Sequence, residues 1–366
     1  MELTPNELPD QIDSQIGEIR TDALDISFGE IINLHAEDEL IIQPEYQRLF
    51  RWSEEQQSRL VESILLELPI PQVFVIENEE GVFELIDGLQ RISSMIHFLD
   101  SSKIDLEPLS LSGCDIVPEL NGHTFNSLPL RLRLKLKRSA VRMIIIKRQS
   151  KPFLKYEMFK RLNTGGEILT PQEIRNCSSR MVGESGTEFY SFIQESAQFA
   201  PFKLCTSSIS EADLERKGDE ELVLRFFALK NGMDLFKGNV RDWLDEYMES
   251  ILLGSETFDY HVEKAYFSKT FGFLAECLGR YAFVRYKDDR PLGSLAPAYF
   301  EAITTGVLRH IDHIRTGDAD AVREAIVQSV QSNDFKEVTG SGASSIWKLK
   351  KRTSLITEAV ESALDV

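Results

Sequence analysis

The segment Val82-Phe-Glu-Leu-Ile-Asp-Gly-Leu-Gln-Arg91 decides the fold of the first half of the chain. Its apolar start is typical of a strand, and Gly88 is a turn residue. The apolar side chains between Ile92 and Leu99 then recur at helical spacing. The segment therefore predicts a strand, a tight turn and a helix in direct succession, with Asp87-Gly88-Leu89-Gln90-Arg91 at the turn.

The residues before this segment extend the pattern. Gln72–Glu77 and Val82–Ile86, joined by Asn78–Gly81, predict a β-hairpin. Farther upstream, Ser53-Glu-Glu-Gln56 has the sequence of a capping box, so we expect a helix to begin there and to end at Pro69-Ile70-Pro71.

The residues after the segment predict a second set of elements. Residues 101–130 have no regular pattern, whereas the run from Val141 to Ile146 is typical of a buried strand. The later predictions are a helix at Phe153–Leu162, a loop at Asn163–Gly166 and a second capping box at Thr170–Glu173 with Pro171 in the first helical position.

Strand signals fade beyond about residue 185. Five segments suit helices instead: Glu220–Lys230, Val240–Ser250, Glu263–Tyr286, Leu295–Leu308 and Ala319–Gln331. The predicted fold class is α+β, a mixed domain followed by an all-helical domain. We expect a flexible acidic arm over residues 1–25, the mixed domain over 26–180 and the helical domain over 181–366.

Charge is unevenly distributed along the chain. The net charge is -18, which argues against a protein that coats nucleic acid without specificity. Residues 1–40 carry eleven acidic side chains against the single Arg20, whereas residues 131–161 carry twelve Lys or Arg against the single Glu157. The first region favours a solvated arm, and the second is a candidate nucleic-acid surface.

The composition favours a cytoplasmic protein that does not cross a membrane. The four cysteines are widely separated and form no C-x-x-C pair, which suits a reducing compartment. The acidic N-terminus has no apolar signal region, and no apolar run approaches the ~20 residues that span a bilayer.

The turn at Asp87–Arg91 has the chemistry of a phosphate cradle. Unpaired backbone N–H groups and the helix dipole favour an anion at a helix N-terminus. Arg91 can fork onto phosphate oxygens, and Asp87 can hold a metal or orient a water molecule. Asp-Gly is also an ordinary turn sequence, so the residues alone leave both readings open.

Two other clusters have features of a ligand site. One cluster comprises Pro44-Glu-Tyr-Gln-Arg48 and Arg51-Trp52, and its arginines and aromatic rings can hold phosphates and stack a base. Alternatively, the rings are core anchors and the arginines pair with neighbouring glutamates. The other cluster is Phe159–Gly166, which includes Asn163, Thr164 and Gly165. These residues either offer hydrogen-bond donors and a close backbone approach to a ligand, or they end a helix.

The basic stretch Arg131–Arg148 alternates charged and apolar residues. It is either a solvated strand face or part of a DNA-facing surface, and we favour the latter because the rest of the chain is so acidic. The candidate DNA-binding residues are Arg131, Arg133, Lys135, Lys137 and Arg138.

Familiar catalytic patterns are absent from the sequence. It contains no P-loop, zinc-protease or nucleophile-elbow motif. His310 and His313, with Asp312 between them, resemble a metal half-site or the start of an HNH nuclease. No further ligand set completes them, and a solvated helix face is favoured. We therefore expect no metal site of the protein's own and no nuclease activity in this chain.

Four segments in order resemble one family, the N-terminal domain of GmrSD-type restriction endonucleases. The match covers roughly residues 30–180. The segments are Pro44–Arg48 with Trp52, Leu60–Leu65 with Pro69–Pro71, Asp87–Arg91, and Phe159–Glu173 with Arg175 and Asn176.

The resemblance implies a ParB/sulfiredoxin-like core and a nucleotide site. By motif, Asp87, Gln90 and Arg91 take the catalytic positions and Gly88 joins them in the pocket, lined by Tyr46, Gln47, Arg48 and Asn163. The family's first Gln is Leu89 here, which puts hydrolysis in doubt but not the fold.

The expected function is a nucleotide-binding sensor or regulatory subunit of a DNA restriction or anti-phage system. The implied cofactor is a nucleoside triphosphate, with or without Mg²⁺, and hydrolysis of that nucleotide is left open. The expected partners are DNA, a separate nuclease or effector subunit and a second copy of the chain. The alternative is a non-enzymatic DNA-binding or protein-interaction adaptor that has lost hydrolysis.

Overall fold

The computed structural model describes residues 20–42, 52–104, 106–147, 158, 170–179, 182–315, 317–340, 342 and 345–364. The chain divides into two compact units, an N-terminal unit (Met1–Asn163) and a C-terminal unit (Thr164–Val366). The predicted fold class is confirmed, because a mixed α+β unit precedes a helical one. The ParB/sulfiredoxin-like description remains an inference from the resemblance.

A five-stranded mixed sheet organises the N-terminal unit. Its strand order is β1-β5-β3-β4-β2, with β3 parallel to β5, β2 parallel to β4, and the other neighbours antiparallel. The strands are β1 (Thr21–Ser27), β2 (Leu40–Ile41), β3 (Val73–Glu77), β4 (Phe83–Asp87) and β5 (Ala140–Ile146). The helices are α1 (Phe28–Ala36), α2 (Glu54–Leu65), α3 (Leu89–Asp100) and α4 (Leu130–Arg138).

The local sequence signals around the motif are confirmed. Ser53 caps α2 through a complete capping box with Gln56, and β3 and β4 form the predicted hairpin. Helix α2 ends at Leu65, before Pro69, and Glu67 then adopts a left-handed conformation (φ +58°). Val73 and Val75 of β3 and Ile92 of α3 are fully buried, so the hairpin and α3 share the core of this unit.

The irregular stretch after α3 is tied to α2 by buried polar groups. Glu62, although buried, accepts hydrogen bonds from the backbone N–H groups of Ile116 (3.0 Å) and Val117 (2.7 Å). Ser58 likewise accepts one from the N–H of Ser112 at 2.9 Å. These side chains replace the backbone partners that a strand or helix would supply.

One sequence expectation for this unit is corrected, and one of two alternatives is ruled out for part of the basic stretch. Thr21–Asp25, assigned to the acidic arm, lies in β1, where pairing with β5 supplies backbone hydrogen bonds to a largely exposed strand. The stretch Leu130–Arg138 is helix α4 and not a strand, despite its alternating pattern. Leu136 is buried while Leu130 and Leu134 are exposed, so the helical period decides which leucine contacts the core.

The described residues of the C-terminal unit are helical apart from one hairpin and the connecting loops. The helices are α5 (Pro171–Ser179), α6 (Glu184–Ala197), α7 (Ala200–Cys205), α8 (Glu211–Glu215), α9 (Gly218–Asn231), α10 (Val240–Leu252), α11 (Tyr260–Cys277), α12 (Pro297–His310), α13 (Ala319–Gln331), α14 (Asn333–Thr339) and α15 (Ile346–Ala363). The helix expected at Glu263–Tyr286 ends at Cys277 instead. Tyr286 lies in β6 (Arg285–Lys287), which pairs with β7 (Arg290–Leu292).

Helix α5 lies in the C-terminal unit, although the sequence placed it in the mixed domain. Its predicted capping box is confirmed, since the backbone N–H of Thr170 donates to Glu173 at 2.7 Å and that of Glu173 donates to the Thr170 hydroxyl at 3.3 Å. Its buried Arg175 and Asn176 bond to helices α9 and α10, and for this reason the compact unit begins at Thr164 and not after residue 180.

The C-terminal unit contains a buried ion chain of three arginines and three carboxylates in alternation. Arg175 is joined to Asp245 (2.6 Å) and Glu221 (3.4 Å), and Glu221 to Arg225 (2.7 Å). Arg225 is joined in turn to Glu301 (2.9 Å), which also bonds Arg352. The chain ties α5, α9, α10, α12 and α15 together, beside a cluster of phenylalanine rings from α7, α9 and α11.

Candidate functional site

The strand-to-helix turn at Asp87–Arg91 is built around Gly88. Strand β4 ends at Asp87, α3 begins at Leu89, and Gly88 between them has a φ of +104°. A Cβ on Gly88 would lie 2.5 Å from Cγ1 of Val73, so both the backbone conformation and the close approach to β3 require glycine.

An irregularity in the sheet lies beside this turn. Asp87 pairs with Phe74, but the register shifts before Val75, which pairs with Leu85. Such a bulge re-aims the side chains next to it. The Asp87 side chain keeps 30% of its surface exposed at the end of the strand.

Arg91 folds back over the turn. Its Nη2 donates to the Asp87 carboxylate (2.8 Å) and to the carbonyl oxygen of Gln72 (3.0 Å). Its Nε is buried and has no hydrogen-bond partner among the described residues, and the side chain is 17% exposed. The guanidinium is therefore held in place without being saturated by the protein groups around it.

The N-terminus of α3 is uncapped by any side chain. Gly88 occupies the capping position and offers no hydroxyl or carboxylate to the first-turn N–H groups. Helix α3 has twelve residues, and its dipole favours negative charge at this end. The combination of an uncapped helix start and a partly exposed arginine suits an anion.

Gln90 has a positioning role in the structure. It is buried, and its Oε1 accepts a hydrogen bond from the backbone N–H of Trp52 at 3.1 Å. Gln57 bonds to the carbonyl group of Trp52, since its Nε2 donates to the Trp52 oxygen at 2.9 Å. Gln57 also contacts the Nδ1 atom of His97 at 2.8 Å, so a buried polar network clamps the start of α2 against α3.

The other proposed pocket residues lie outside the part of the chain that the structure describes. They are Tyr46, Gln47, Arg48, Asn163, Thr164 and Gly165. Trp52, four residues after Arg48 in sequence, is fixed to Gln90 as described above. The lining of the pocket by these six residues stays a prediction.

The candidate DNA-binding residues divide into two groups on α4. Arg131, Lys137 and Arg138 are exposed. Arg133 is half-buried, and Lys135 forms an ion pair with Glu67 at 2.6 Å, which lowers the pKa of that carboxyl. A groove of about 430 Å³ beside Lys135 and Arg138 follows the same surface.

Three of the cysteines are buried and unsuited to nucleophilic chemistry. Burial raises the pKa of the Cys114 thiol to about 11 and the pKa values of the Cys205 and Cys277 thiols to about 12. A thiolate is the reactive form, so these groups are inert at neutral pH.

The described parts of the chain hold no group of three His, Cys, Asp or Glu side chains that suits a metal ion. Asp312, between His310 and His313, is paired with Lys269 at 2.8 Å. No described helix combines the length and apolar character that a membrane crossing needs.

Comparison with known proteins identifies the first part of the chain. Residues 28–179 match the family model described as GmrSD restriction endonuclease, N-terminal domain. A search among curated proteins gives no significant match, and neither does a search among solved structures. The family resemblance drawn from the four ordered motifs is thus confirmed for this segment, and it indicates a protein of a restriction-type defence system.

Proposed function

Because residues 28–179 match the family model of the GmrSD restriction endonuclease N-terminal domain, we propose that this chain binds a nucleoside triphosphate at the Asp87–Arg91 turn. In this proposal it acts as a sensor or regulatory subunit of a DNA restriction or anti-phage system. A separate nuclease or effector subunit and a second copy of the chain are its proposed protein partners.

One observation supports the nucleotide site above the others. The guanidinium of Arg91 lies at the uncapped start of α3 with a buried Nε that has no partner among the described residues. A phosphate there would receive hydrogen bonds from the helix N–H groups and from the arginine together. Gly88 leaves room for backbone and phosphate to approach closely.

Asp87 suits a secondary role toward Mg²⁺. One of its oxygens bonds Arg91, and the carboxylate stays partly exposed. Mg²⁺ is commonly held by one or two carboxylates together with substrate phosphates and water, so this single group fits a metal that arrives with the nucleotide. The metal would supply charge neutralisation at the phosphates, and Asp87 would orient it.

The same geometry supports binding more strongly than hydrolysis. Leu89 cannot offer the hydrogen bonds of the glutamine that the family motif has at this position. Gln90, the remaining glutamine, is buried and engaged with the Trp52 backbone. Neither side chain is available to orient an attacking water molecule in this arrangement.

Nucleotide binding and phosphate release by the purified chain test the proposal. We expect micromolar to millimolar binding of a nucleoside triphosphate in the presence of Mg²⁺, and a loss of about tenfold or more in Arg91→Ala. Arg59→Ala is the matched control, because Arg59 forms an exposed i,i+4 pair with Glu55 in the same unit. If neither the wild type nor the control binds any nucleoside triphosphate, the proposal is wrong.

Leu89→Gln separates binding from turnover. The substitution restores the family's Asp-Gly-Gln-Gln-Arg sequence at the half-buried first position of α3. We expect unchanged nucleotide affinity and faster phosphate release than in the wild type. Equal rates in the two proteins would show that Leu89 does not limit hydrolysis.

A second candidate, a DNA-binding adaptor without turnover, is supported by the basic surface of α4. Arg131, Lys137 and Arg138 are exposed on a chain that is otherwise strongly acidic. DNA binding should weaken steeply with salt, and the triple variant of these residues to Gln should bind less tightly with a slope shallower by about 3. A salt-independent affinity, or an unchanged slope in the variant, would contradict this candidate.

A further inference from the structure

A groove in the C-terminal unit is lined by three cations from two elements. It has a volume of about 640 Å³ and lies between the β6–β7 hairpin and helices α12, α13 and α14. We call it the hairpin groove, and the lining side chains that matter here are Arg285, Lys287, Asp288, Tyr299, Gln331 and Lys336.

The cations of the hairpin groove lack acidic partners. Arg285, Lys287 and Lys336 are exposed, and within the described residues none of them has a carboxylate within 4 Å. Asp288 is the one acidic residue in the lining, so the groove has a net charge of about +2 on a chain of net charge -18. A concentration of positive charge without acidic partners in so acidic a protein favours the approach of an anion to this groove.

An acidic groove lies next to the hairpin groove. The second groove, of about 370 Å³, is lined by Asp289, Asp320 and Glu324 with the single cation Arg323. Asp289 bonds Gln331 in both directions, since Gln331 Nε2 donates to Oδ1 (2.8 Å) and the Asp289 N–H donates to Gln331 Oε1 (3.3 Å). Through this pairing, Asp289 of the acidic groove contacts Gln331 of the hairpin groove.

The elements that carry the cations are well fixed. Arg285 and Lys287 are two residues apart on β6 and so project from the same face of the strand. Lys336 is on α14, which is held against α12 by an edge-to-face contact between Phe335 and Tyr299 with centroids 5.1 Å apart. Arg285 and Tyr299 both line the groove. Burial raises the pKa of Tyr299, and Thr339 and the charge of Arg285 oppose that shift.

We propose that the hairpin groove is a binding site for a small phosphate-bearing ligand, distinct from the Asp87–Arg91 site. An arginine fork and two ammonium groups match the several oxygens of a phosphate or diphosphate. The volume falls within the usual range for small-molecule sites, about 300–1,000 Å³. With this site in the C-terminal unit, the protein would respond to a second ligand, separate from the one proposed to bind the N-terminal unit.

Calorimetric titration of the full chain with inorganic pyrophosphate at constant ionic strength tests this. We expect the double variant Lys287→Gln with Lys336→Gln to bind about 100-fold more weakly, since each charge-assisted contact contributes about tenfold. The control double variant, Lys237→Gln with Lys264→Gln, loses the same charge from exposed surface pairs of the same unit and should bind as the wild type does.

Arg91→Ala distinguishes the two sites. The pyrophosphate binding that the groove double variant loses should persist in Arg91→Ala, whatever that variant loses at the Asp87–Arg91 turn. Thermal unfolding should confirm that the groove variants remain folded. Parallel titrations with AMP and ATP show whether the phosphate belongs to a nucleotide or is inorganic. The proposal is overturned if the wild type binds no pyrophosphate, if the groove double variant matches the control, or if only Arg91→Ala loses binding.

Discussion

Two arginines from segments of the same family domain behave differently in the two units of this protein. Arg91, in the N-terminal unit, has one carboxylate partner and a side chain that is 17% exposed. Arg175, in the C-terminal unit, has two carboxylate partners, Asp245 and Glu221, and only 2% of its side chain is exposed.

The difference matches the ligand-binding role that we propose for Arg91 and a structural role for Arg175. A buried charge is tolerated only when its hydrogen bonds are satisfied, and Arg175 is bonded through Nε, Nη1 and Nη2. Arg91 leaves its Nε without a partner among the described residues and keeps part of its surface open. Under the proposed function, the segment that matches the family model combines a ligand-binding arginine with one that holds the C-terminal unit together.

The largest expected effect comes from Arg175→Met. Removing this cation takes the Arg175 ion pair from Asp245 and one of two arginine partners from Glu221 in the buried ion chain, which we expect to lower the free energy of unfolding by about 3–5 kcal/mol. Urea unfolding followed by tryptophan fluorescence measures it, with the buried Trp243 reporting on this unit.

Arg91→Ala is the counterpart of that variant. Its ion pair is partly exposed and has a single acidic partner, so we expect a loss of no more than about 1 kcal/mol. Equal losses of stability in Arg91→Ala and Arg175→Met would remove the distinction between the two arginines.

A loss of stability smaller than that of Arg175→Met is expected from a substitution at the turn of the N-terminal unit. In Gly88→Ala the new Cβ meets Val73 and the backbone must hold a positive φ, so we expect a loss of about 2–3 kcal/mol. Gly81→Ala is the control, because Gly81 also has a positive φ (+84°) but no atom near its Cβ position, and it should lose only about 1 kcal/mol.

Val73→Ala in the Gly88→Ala background sharpens this test. Shortening Val73 removes the atom 2.5 Å from the new Cβ, so it should relieve part of the loss of stability. If the double variant loses the sum of the two single losses, the close approach of Gly88 to β3 is not what requires glycine.

Local signals made the motif region predictable from sequence. The capping boxes at Ser53 and Thr170 each depend on residues three apart, and the β3–β4 hairpin depends on a short turn. In such patterns, residues a few positions apart determine the local backbone conformation. The strand–Gly88–helix arrangement followed from the same kind of local information.

Long-range contacts explain what the sequence could not predict. The bond from Arg175 to Asp245 joins residues 70 apart, and the one from Trp52 to Gln90 joins residues 38 apart. No spacing rule indicates either pair, so Gln90 looked like a catalytic residue although its side chain fixes the backbone of Trp52. In α4 the alternating leucines left a strand open as an alternative. The segment is a helix, and Leu136 is its buried leucine.

The smallest effect concerns Glu220, beside Asn176 in the C-terminal unit. Burial raises the pKa of this carboxyl despite the ion pair with Lys217 at 2.9 Å. A raised pKa in the folded state means that the group's contribution to stability is fully present below the unfolded value of about 4.3 and is lost as pH rises through the folded value. The wild type should therefore lose stability with rising pH in this window.

Glu220→Gln removes the ionisation and should remove that loss. The unfolding midpoint of the variant, measured between pH 4 and pH 7, should fall less with rising pH than that of the wild type. Gln keeps an oxygen for Asn176, which bonds the Glu220 carboxylate, so the comparison isolates the charge. Parallel pH profiles for the two proteins would mean that Lys217 compensates Glu220 fully.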